Sequence, residues 1–397
     1  MPTEKANAAT QALNTSPFVP KSTMDGKAII NGKTVEATAG MAVQPPGVVQ
    51  SAPKNSLKVV EMLQSVLSRL KPKQDEKFPE FAPTRPLHPS DKDDSIPNLR
   101  QILFMLGYLE KATDSPFFDM ELEEAVKSFQ ASHCLNADGV IGEDTKLRLN
   151  WSYAKRIKML SSSIEKLSQL VLTDRTAIVN IPTYTLHAFE GNNLKMRMKI
   201  IVGQSGRPTP QMTSYINAVE FNPIWVVPPT ILFKDKIPKI IEDANYLEKN
   251  KLHVFDHEDE EVDPEDVDWE KANEHDFNYT LKQRPGKTNA LGRIRFNLLN
   301  EDHIYLHDTP LRSLFKKCSR ALSSGCIRLE KPRNLAAWLL DSDIKKIKGA
   351  IATKETEVVS LEKNMTVYIT YLSVWAEEDG KILWGDDPYK LDPQQQA

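Results

Sequence analysis

The 397-residue chain is longer than one ordinary domain, and with 40% hydrophobic and 26% charged residues it reads as two or three soluble globular domains rather than a fibre, a membrane bundle or a disordered chain. A formal net charge of -3 and a pI near 6.3 exclude whole-molecule attraction to nucleic acid or to an anionic membrane. The three cysteines, Cys134, Cys318 and Cys326, are too sparse for a disulfide framework and form no CxxC pair for structural zinc, so each is read singly.

The opening segment MPTEKANAATQALNTSPF lacks the basic start and continuous apolar run of a secretory signal, and no stretch of about 18 apolar residues suggests a transmembrane segment. Residues 1–50 are rich in Ala, Thr, Pro, Gly and Ser and read as a flexible arm, with one alternating stretch, KAIINGKTVEATAG, whose Asn31-Gly32 pair suits a small hairpin. From Leu57, apolar residues recur at Val60, Leu63, Leu67 and Leu70, the spacing of one helical face that needs a partner. A linker dense in Pro, Lys and Asp follows from Lys71 to Pro97.

Residues 98–150 predict three helices. Leu99, Ile102, Leu103 and Leu106 line the first, which stops at Gly107; Leu122, Val126 and Phe129 line the second; the third starts behind the turn Asp138-Gly139. The three blocks LGYL, AVKSFQ and DGVIG, with Thr145 after them, resemble in wording and order the peptidoglycan-binding domain of type one. Cys134 stands where that module often has Gly and reads as a small buried thiol. Residues 153–170 form a second amphipathic helix able to pair with the one from Leu57, so that 51–97 and 151–174 make a helical scaffold into which the module is inserted.

From Ala177 the pattern changes to strands: TAIVNIP, YTLHAFEG, MRMKIIVGQ, YINAVEF and IWVVPP run between Gly, Pro and Asn turns, as an antiparallel sheet or barrel would. Residues 231–290 interrupt this with helix-like stretches and the acidic run HEDEEVDPEDVDWEKANEHD. That run lacks the Gly and ligand order of a calcium loop and reads as a solvated segment; no metal is expected in it. Strands resume at GRIRFNL and HIYLHD, and MTVYITYLSVW with KILWG closes the chain as a hairpin.

Chemistry concentrates at Ser323-Ser324-Gly325-Cys326-Ile327-Arg328. A nucleophilic thiol needs a base within hydrogen-bond reach and donors for an oxyanion. Gly325 permits an unusual turn and a bare approach to sulfur, His307 ends the strand-like IYLHD upstream, and Arg328 adds a positive charge that favours thiolate or holds a substrate carboxylate. With VGQSGRPTP, NALGRIRFNL, IYLHDTP, SSGCIRL and the helix NLAAWLL, residues 175–375 resemble the YkuD-type L,D-transpeptidases, and most of all their YcbB-like branch, whose members carry a helical scaffold, a wall-binding module and a capping insertion.

That resemblance implies an α+β multidomain protein with a mainly β catalytic domain over 175–390 and a helical capping insertion at about 231–290. It implies Cys326 as nucleophile and His307 as base, held by a backbone carbonyl near Asp308. Tyr305, Gly325 and the Cys326 amide follow as candidates for the oxyanion, and Arg328 as the arginine after the nucleophile. Ser324 replaces the His that commonly precedes Gly-Cys, which removes a second catalytic His. His303 reads as a surface histidine, Cys318 as an exposed loop thiol, Trp225 as core and Trp269 as a lid or hinge contact. The implied reaction needs no cofactor and joins donor and acceptor stem tetrapeptides of peptidoglycan through a thioester, in the periplasm or envelope, with carbapenems acylating the same sulfur and a monomer as the expected state. An L,D-carboxypeptidase or protein-to-wall ligase of the same fold, and a wall-binding protein without catalysis, stay open.

Overall fold

The computed structural model describes residues 27–30, 33–36 and 57–392. Strands β1 (Lys27–Ile30) and β2 (Lys33–Glu36) pair antiparallel on either side of the Asn-Gly pair, with Ile30 opposite Lys33. The reading of the rest of residues 1–50 as a flexible arm lies outside the described residues.

Helix α1 (Lys58–Leu70) turns Val59, Val60, Leu63 and Leu70 inward. Helix α2 (Ile96–Met105) ends ahead of Gly107, whose φ of +82° suits the close of a helix. In α3 (Met120–Ser132) the Asp119 carboxylate caps the first turn by accepting from the Leu122 N–H and also holds the buried Arg100 at 2.6 Å. With α4 (Glu143–Leu149) these helices enclose Leu99, Leu103, Leu122, Phe129 and Leu149. Cys134 has φ +55°, a left-handed conformation that glycine adopts more readily, which accounts for Gly at that place in the module. Entry and exit of the module are clamped together, because Asn150 accepts from the Phe81 N–H and donates to the Phe81 carbonyl, both at 2.8 Å. Helix α5 (Tyr153–Ser168) then packs along α1, and Leu63, Leu160, Leu167 and Trp375 share one apolar cluster.

Nine strands follow in one sheet: β3 (Arg175–Asn180), β4 (Thr185–Glu190), β5 (Asn193–Gly203), β6 (Met212–Phe221), β11 (Ile294–Leu298), β12 (Leu306–His307), β13 (Ala321–Ser323), β14 (Ile327–Leu329) and β15 (Glu357–Thr370), the numbers β7 to β10 belonging to the cap below. Their order is β13-β5-β14-β12-β11-β6-β15-β3-β4, and β4 also pairs with β5, so the sheet closes into a barrel. The long β5 makes closure possible, its first half pairing with β4 and its second with β14. Three neighbours, β12–β14, β13–β5 and β15–β3, are parallel where an antiparallel sheet was expected. Alternation reports which face a side chain takes but not the direction of the neighbouring strand.

The cap begins earlier than the change of rhythm suggests. Trp225–Val226 (β7) leaves the barrel and pairs with β10 (Thr280–Gln283), which joins β8 (His253–Phe255) and β9 (Glu261–Val262) in a separate four-stranded sheet. Strands of two to four residues are too short to display a period, so only the helical part of the cap was legible: α6 (Pro229–Ile231), α7 (Ile237–Glu242) and α8 (Tyr246–Lys249). Helices α9 (Pro332–Leu339) and α10 (Ile344–Ala352) pack Leu335, Leu339, Ile347 and Ile351 into the barrel core, and β16 (Val374–Ala376) with β17 (Ile382–Trp384) forms the final hairpin against α1 and α5. Among the described residues no helix is long and apolar enough to cross a membrane.

Two buried histidines lock the joints of this assembly. His133 lies between Phe129, whose carbonyl accepts from Nδ1 at 2.8 Å, and Arg156, which donates to Nε2 at 3.0 Å; His187 stacks on Trp375 at 4.2 Å. Burial holds both below the ordinary histidine value of 6.5. The unfolded chain therefore binds more protons than the folded one below that value, so stability is complete above it and is lost as pH falls. The expected loss is up to about 1.4 kcal/mol per pH unit for each histidine. Denaturant titrations at pH 7.5 and 5.5 measure this, and a midpoint that does not fall would contradict it.

Candidate active site

The site rests on one pairing. Strands β12 and β14 run parallel with Leu306 opposite Ile327 and His307 opposite Arg328, and the long connection 308–326 supplies the crossover that parallel neighbours require. Leu306 and Ile327 enter the barrel core, fully buried. Alternation then turns Tyr305, His307 and Arg328 to the opposite face, where Tyr305 packs against the apolar cluster of the cap. Cys326, immediately before β14, is half-buried, its Sγ lies 3.9 Å from the His303 carbonyl, and the Tyr305 amide and phenol act on the thiol to lower its pKa. The register makes Cys326 and His307 diagonal neighbours, a separation of about 7–8 Å between backbones that long side chains span.

The loop that carries the sulfur is held from three sides. Gly325 has φ +116°, which other residues rarely adopt, and a Cβ there would also crowd Ile304 Cδ1 at 3.1 Å. Ser323 Oγ donates to the Cys326 carbonyl at 2.6 Å and accepts from the Gly325 N–H at 3.2 Å, while Thr209 Oγ1 donates to the Gly325 carbonyl at 2.6 Å. The Gly325 amide is thus already engaged, which leaves the Cys326 amide and the Tyr305 phenol as oxyanion candidates. Ser324 accepts from Arg207 Nη1 at 3.0 Å, and the same guanidinium forms a forked pair with Asp235 of the cap at 2.5 and 2.6 Å. One arginine therefore joins the cap to the residue beside Gly325.

His307 is buried, and its Nδ1–H donates to the Asp308 carbonyl at 2.5 Å, which leaves Nε2 as the acceptor. The Asp308 carboxylate is occupied elsewhere: it accepts from the Arg293 N–H at 3.0 Å and fills the space where a Cβ of Gly292 would stand, at 2.5 Å. Burial first, then the Arg328 charge, lowers the His307 pKa to about 3. Burial also pushes the Cys326 thiol up, against the Tyr305 hydrogen bonds and the charges of Arg328 and Arg295. The resting pair is therefore neutral thiol and neutral imidazole. The expectation that Arg328 favours a standing thiolate is met by a stronger opposing effect, desolvation on a covered face.

Residues that sequence reasoning passed over complete the face. Arg295 on β11 lies opposite both His307 and Glu220 of β6, so Arg328, His307, Arg295 and Glu220 form one row across four strands. The Arg295 guanidinium sits 5.4 Å from the Tyr305 ring centre and pairs with Glu220 at 2.5 Å, Glu220 being only 8% exposed. Burial raises the Glu220 pKa while Arg295 opposes the rise. In IRFNL and AVEF these two read as the polar side of an alternating strand, and nothing marks that side as covered.

Of the other residues singled out, His303 is exposed with φ +55°, and only its carbonyl approaches Cys326 Sγ, at 3.9 Å. Trp269 lies within the cap's own apolar cluster, its ring 5.7 Å from that of Phe277 and its Nε1 donating to the Pro264 carbonyl. Trp225 is buried, but in the cap and not in the barrel. Cys318 donates to Asn136 Oδ1 at 3.2 Å, joining the loop after β12 to the three-helix module. Within the acidic run Asp259 and Glu261 pair with Lys282 and Arg284, and among the described residues no three His, Cys, Asp or Glu are grouped to hold a metal.

Residues 174–367 match the YkuD family, described as the L,D-transpeptidase catalytic domain, and residues 92–149 match the family described as "Putative peptidoglycan binding domain". A Haemophilus influenzae protein named "Putative L,D-transpeptidase" is 37% identical over 220 residues, 54% of this chain and 44% of that protein, so the chain spans less than half the length of this curated relative. Among solved structures, the L,D-transpeptidase (Yku) from Stackebrandtia nassauensis is 14% identical, with 74% of this chain and 97% of that one covered at a TM-score of 0.28. L,D-transpeptidase 3 from Mycobacterium tuberculosis, solved in complex with a faropenem-derived adduct, is 12% identical, with 49% and 60% covered at 0.25. Superpositions this poor carry no weight, and the assignment rests on the sequence matches. The segment that matches the L,D-transpeptidase catalytic domain includes both Cys326 and His307. Residues 174–367 are thus similar to the YkuD L,D-transpeptidase catalytic domain and residues 92–149 to a peptidoglycan-binding domain.

The charge row yields a test. Glu220→Gln leaves Arg295 without its counter-charge beside the thiol, and since Arg295 is partly exposed the expected cost is about 1–3 kcal/mol, below that of a fully buried pair. The excess positive charge also lowers the thiol pKa. Denaturation together with thiol alkylation rates across pH reads both; an unchanged alkaline midpoint would show that the row does not act on the sulfur.

Proposed function

We propose that this protein is an L,D-transpeptidase that forms 3-3 cross-links between peptidoglycan stem peptides through a thioester on Cys326, with release of D-Ala. The observation that carries this reading is the β12–β14 register, which gathers Tyr305, His307 and Arg328 on one covered face with the Cys326 sulfur at its edge, inside the segment that matches the YkuD family.

In the first half-reaction the Cys326 sulfur attacks the carbonyl of the third residue, meso-diaminopimelate, of a donor tetrapeptide as its proton passes to His307 Nε2. The Cys326 amide and the Tyr305 phenol hold the oxyanion. The C–N bond to D-Ala breaks, and His307 returns the proton to the leaving amine. In the second half the side-chain amine of an acceptor's diaminopimelate attacks the thioester, gives its proton to His307, and expels the sulfur, which recovers that proton. Arg328, carrying a fixed charge on the same face, holds a substrate carboxylate. Ser324 and Gly325 shape the loop, and the cap that includes Trp269 limits entry. Water as acceptor gives carboxypeptidation, and an amine on another protein gives ligation to the wall.

The organisation we propose keeps the helical scaffold at 51–97 and 151–174, the wall-binding module at 98–150 and the catalytic domain at 175–390. The packing of α1 on α5 around an inserted module supports it, as does a cap tied down by Arg207 and Asp235, and this layout is that of the YcbB-like branch. A monomer acting on peptidoglycan works in the periplasm or cell envelope, and carbapenems acylate its sulfur.

Incubation of the protein with disaccharide tetrapeptides should yield cross-linked dimers, and Cys326→Ala should lower the yield by about a thousandfold or more. Product with the alanine variant would sink the thioester mechanism, and hydrolysed tripeptide alone would favour the carboxypeptidase. The acid–base state gives a second check. With His307 neutral down to about pH 3 and the thiol raised, carbapenem acylation followed by intact mass should be nearly constant between pH 5 and 8. A tenfold fall per unit below about 6.5, as an ordinary histidine would impose, is the contrary outcome.

A further inference from the structure

One cleft is lined by none of the residues around Cys326. It measures about 820 Å³ and lies between the end of α1, the turn after α2, helix α3 and the β16–β17 hairpin. Its charged lining is Arg69, Lys73, Lys127, Arg156 and Lys381, without one carboxylate. Lys127 is neutralised by Glu123 and Glu124 on its own helix. Arg69, Lys73, Arg156 and Lys381 take part in no ion pair among the described residues; Lys73 stands 5.6 Å over the Tyr153 ring.

Arg156 is the most telling of these. It is 1% exposed, lies over the Trp384 ring at 5.1 Å, and spends its donors on the Trp151 and Arg148 carbonyls and on neutral His133, all uncharged acceptors. Burial draws its pKa down to about 10. A buried cation without an anion is costly, and three more cations around the same space raise the potential there further. Tyr108 and Trp384 add aromatic surface suited to an aliphatic chain or a sugar ring.

We propose that this cleft binds a carboxylate-bearing peptidoglycan fragment, a stem peptide of the wall separate from the one reacting at Cys326. The identification of the fragment rests on the function proposed above; the preference for carboxylate rests on the cleft itself. The volume falls within the roughly 300–1,000 Å³ of small-ligand sites. Its walls come from the three-helix module, the scaffold helices and the hairpin that follows the barrel, so the site exists only when these parts are assembled. A strand seated there is held by the same body that carries the catalytic face.

The test uses the full-length protein with Cys326→Ala to stop turnover, and calorimetry with a soluble disaccharide tetrapeptide and the same compound with its carboxylates amidated. Exchanging Arg69→Glu and Lys381→Glu together should weaken binding of the acid form at least tenfold and reduce its advantage over the amide form by a similar factor. Unchanged affinity in the double variant, equal loss for acid and amide, or tighter binding of a polyphosphate chain than of the muropeptide would each overturn the proposal. With Cys326 intact, the double variant should be acylated by a carbapenem at the parent rate, which shows that it is folded. If neither protein is acylated the catalytic reading fails, while the binding comparison still decides the cleft.

Discussion

Everything chemical in this molecule depends on two short strands lying parallel. The β12–β14 pair is only two residues long in its register, yet it decides which side chains face the core and which face the cap. A slip of one residue would send His307 into the barrel and bring Leu306 out. The pairing is protected because both apolar partners, Leu306 and Ile327, are fully buried, and because the connection between the strands is itself anchored: Arg312 donates to the Leu329 and Glu330 carbonyls and Asp308 grips the turn at Gly292. Barrel closure through β5 fixes the other side of β14. The geometry of the site is thus a by-product of core burial, which is the cheapest way to hold it rigid.

The same burial sets the electrostatics. A sulfur and an imidazole on an open surface with Arg328 nearby would form an ion pair at rest; covered by the cap, both prefer to be neutral. A neutral thiol is a poor target for stray oxidants and electrophiles, and in the proposed mechanism the proton moves only when an acyl carbonyl and the oxyanion donors are in place. Arg295 and Arg328 flank His307 from either side, and Glu220 cancels one of the two charges. The row therefore supplies a limited positive field, enough to favour a developing anion without ionising the sulfur in advance.

Much of the candidate site's local structure was legible in the sequence because it depends on words of a few residues. Gly before Cys, with its φ of +116°, and His at the end of a strand are local facts. The helical module was legible for the same reason: its caps and apolar stripes lie within single elements. What could not be read is non-local. Arg295 and Glu220 look like ordinary solvent-side residues of alternating strands until the cap covers them, and Arg207 meets Asp235 and Ser324 only through the fold. The parallel direction of β12, β14 and β15 leaves no periodic trace, and the two-residue strand at Trp225 is too short to announce that it has left one sheet for another.

The module and the barrel are joined by more than the chain that links them. Arg148, at the end of α4, pairs with Asp386 at 3.0 Å, and Asp386 in turn accepts from the Tyr184 hydroxyl at 2.8 Å, next to the turn into β4. Cys318, in the crossover between β12 and β14, donates to Asn136 of the module. The loop that makes the parallel pairing possible thus touches the wall-binding helices directly. A polymer held by those helices cannot drift freely relative to Cys326, because its anchor and the crossover share a contact. For the function proposed, the physical consequence would be a high effective concentration of one strand near Cys326, obtained through a rigid body instead of a tether. In the reaction proposed above, a flexible linker would leave most encounters to water, the competing acceptor, whereas a fixed module would bias the second half-reaction toward an amine on a neighbouring strand.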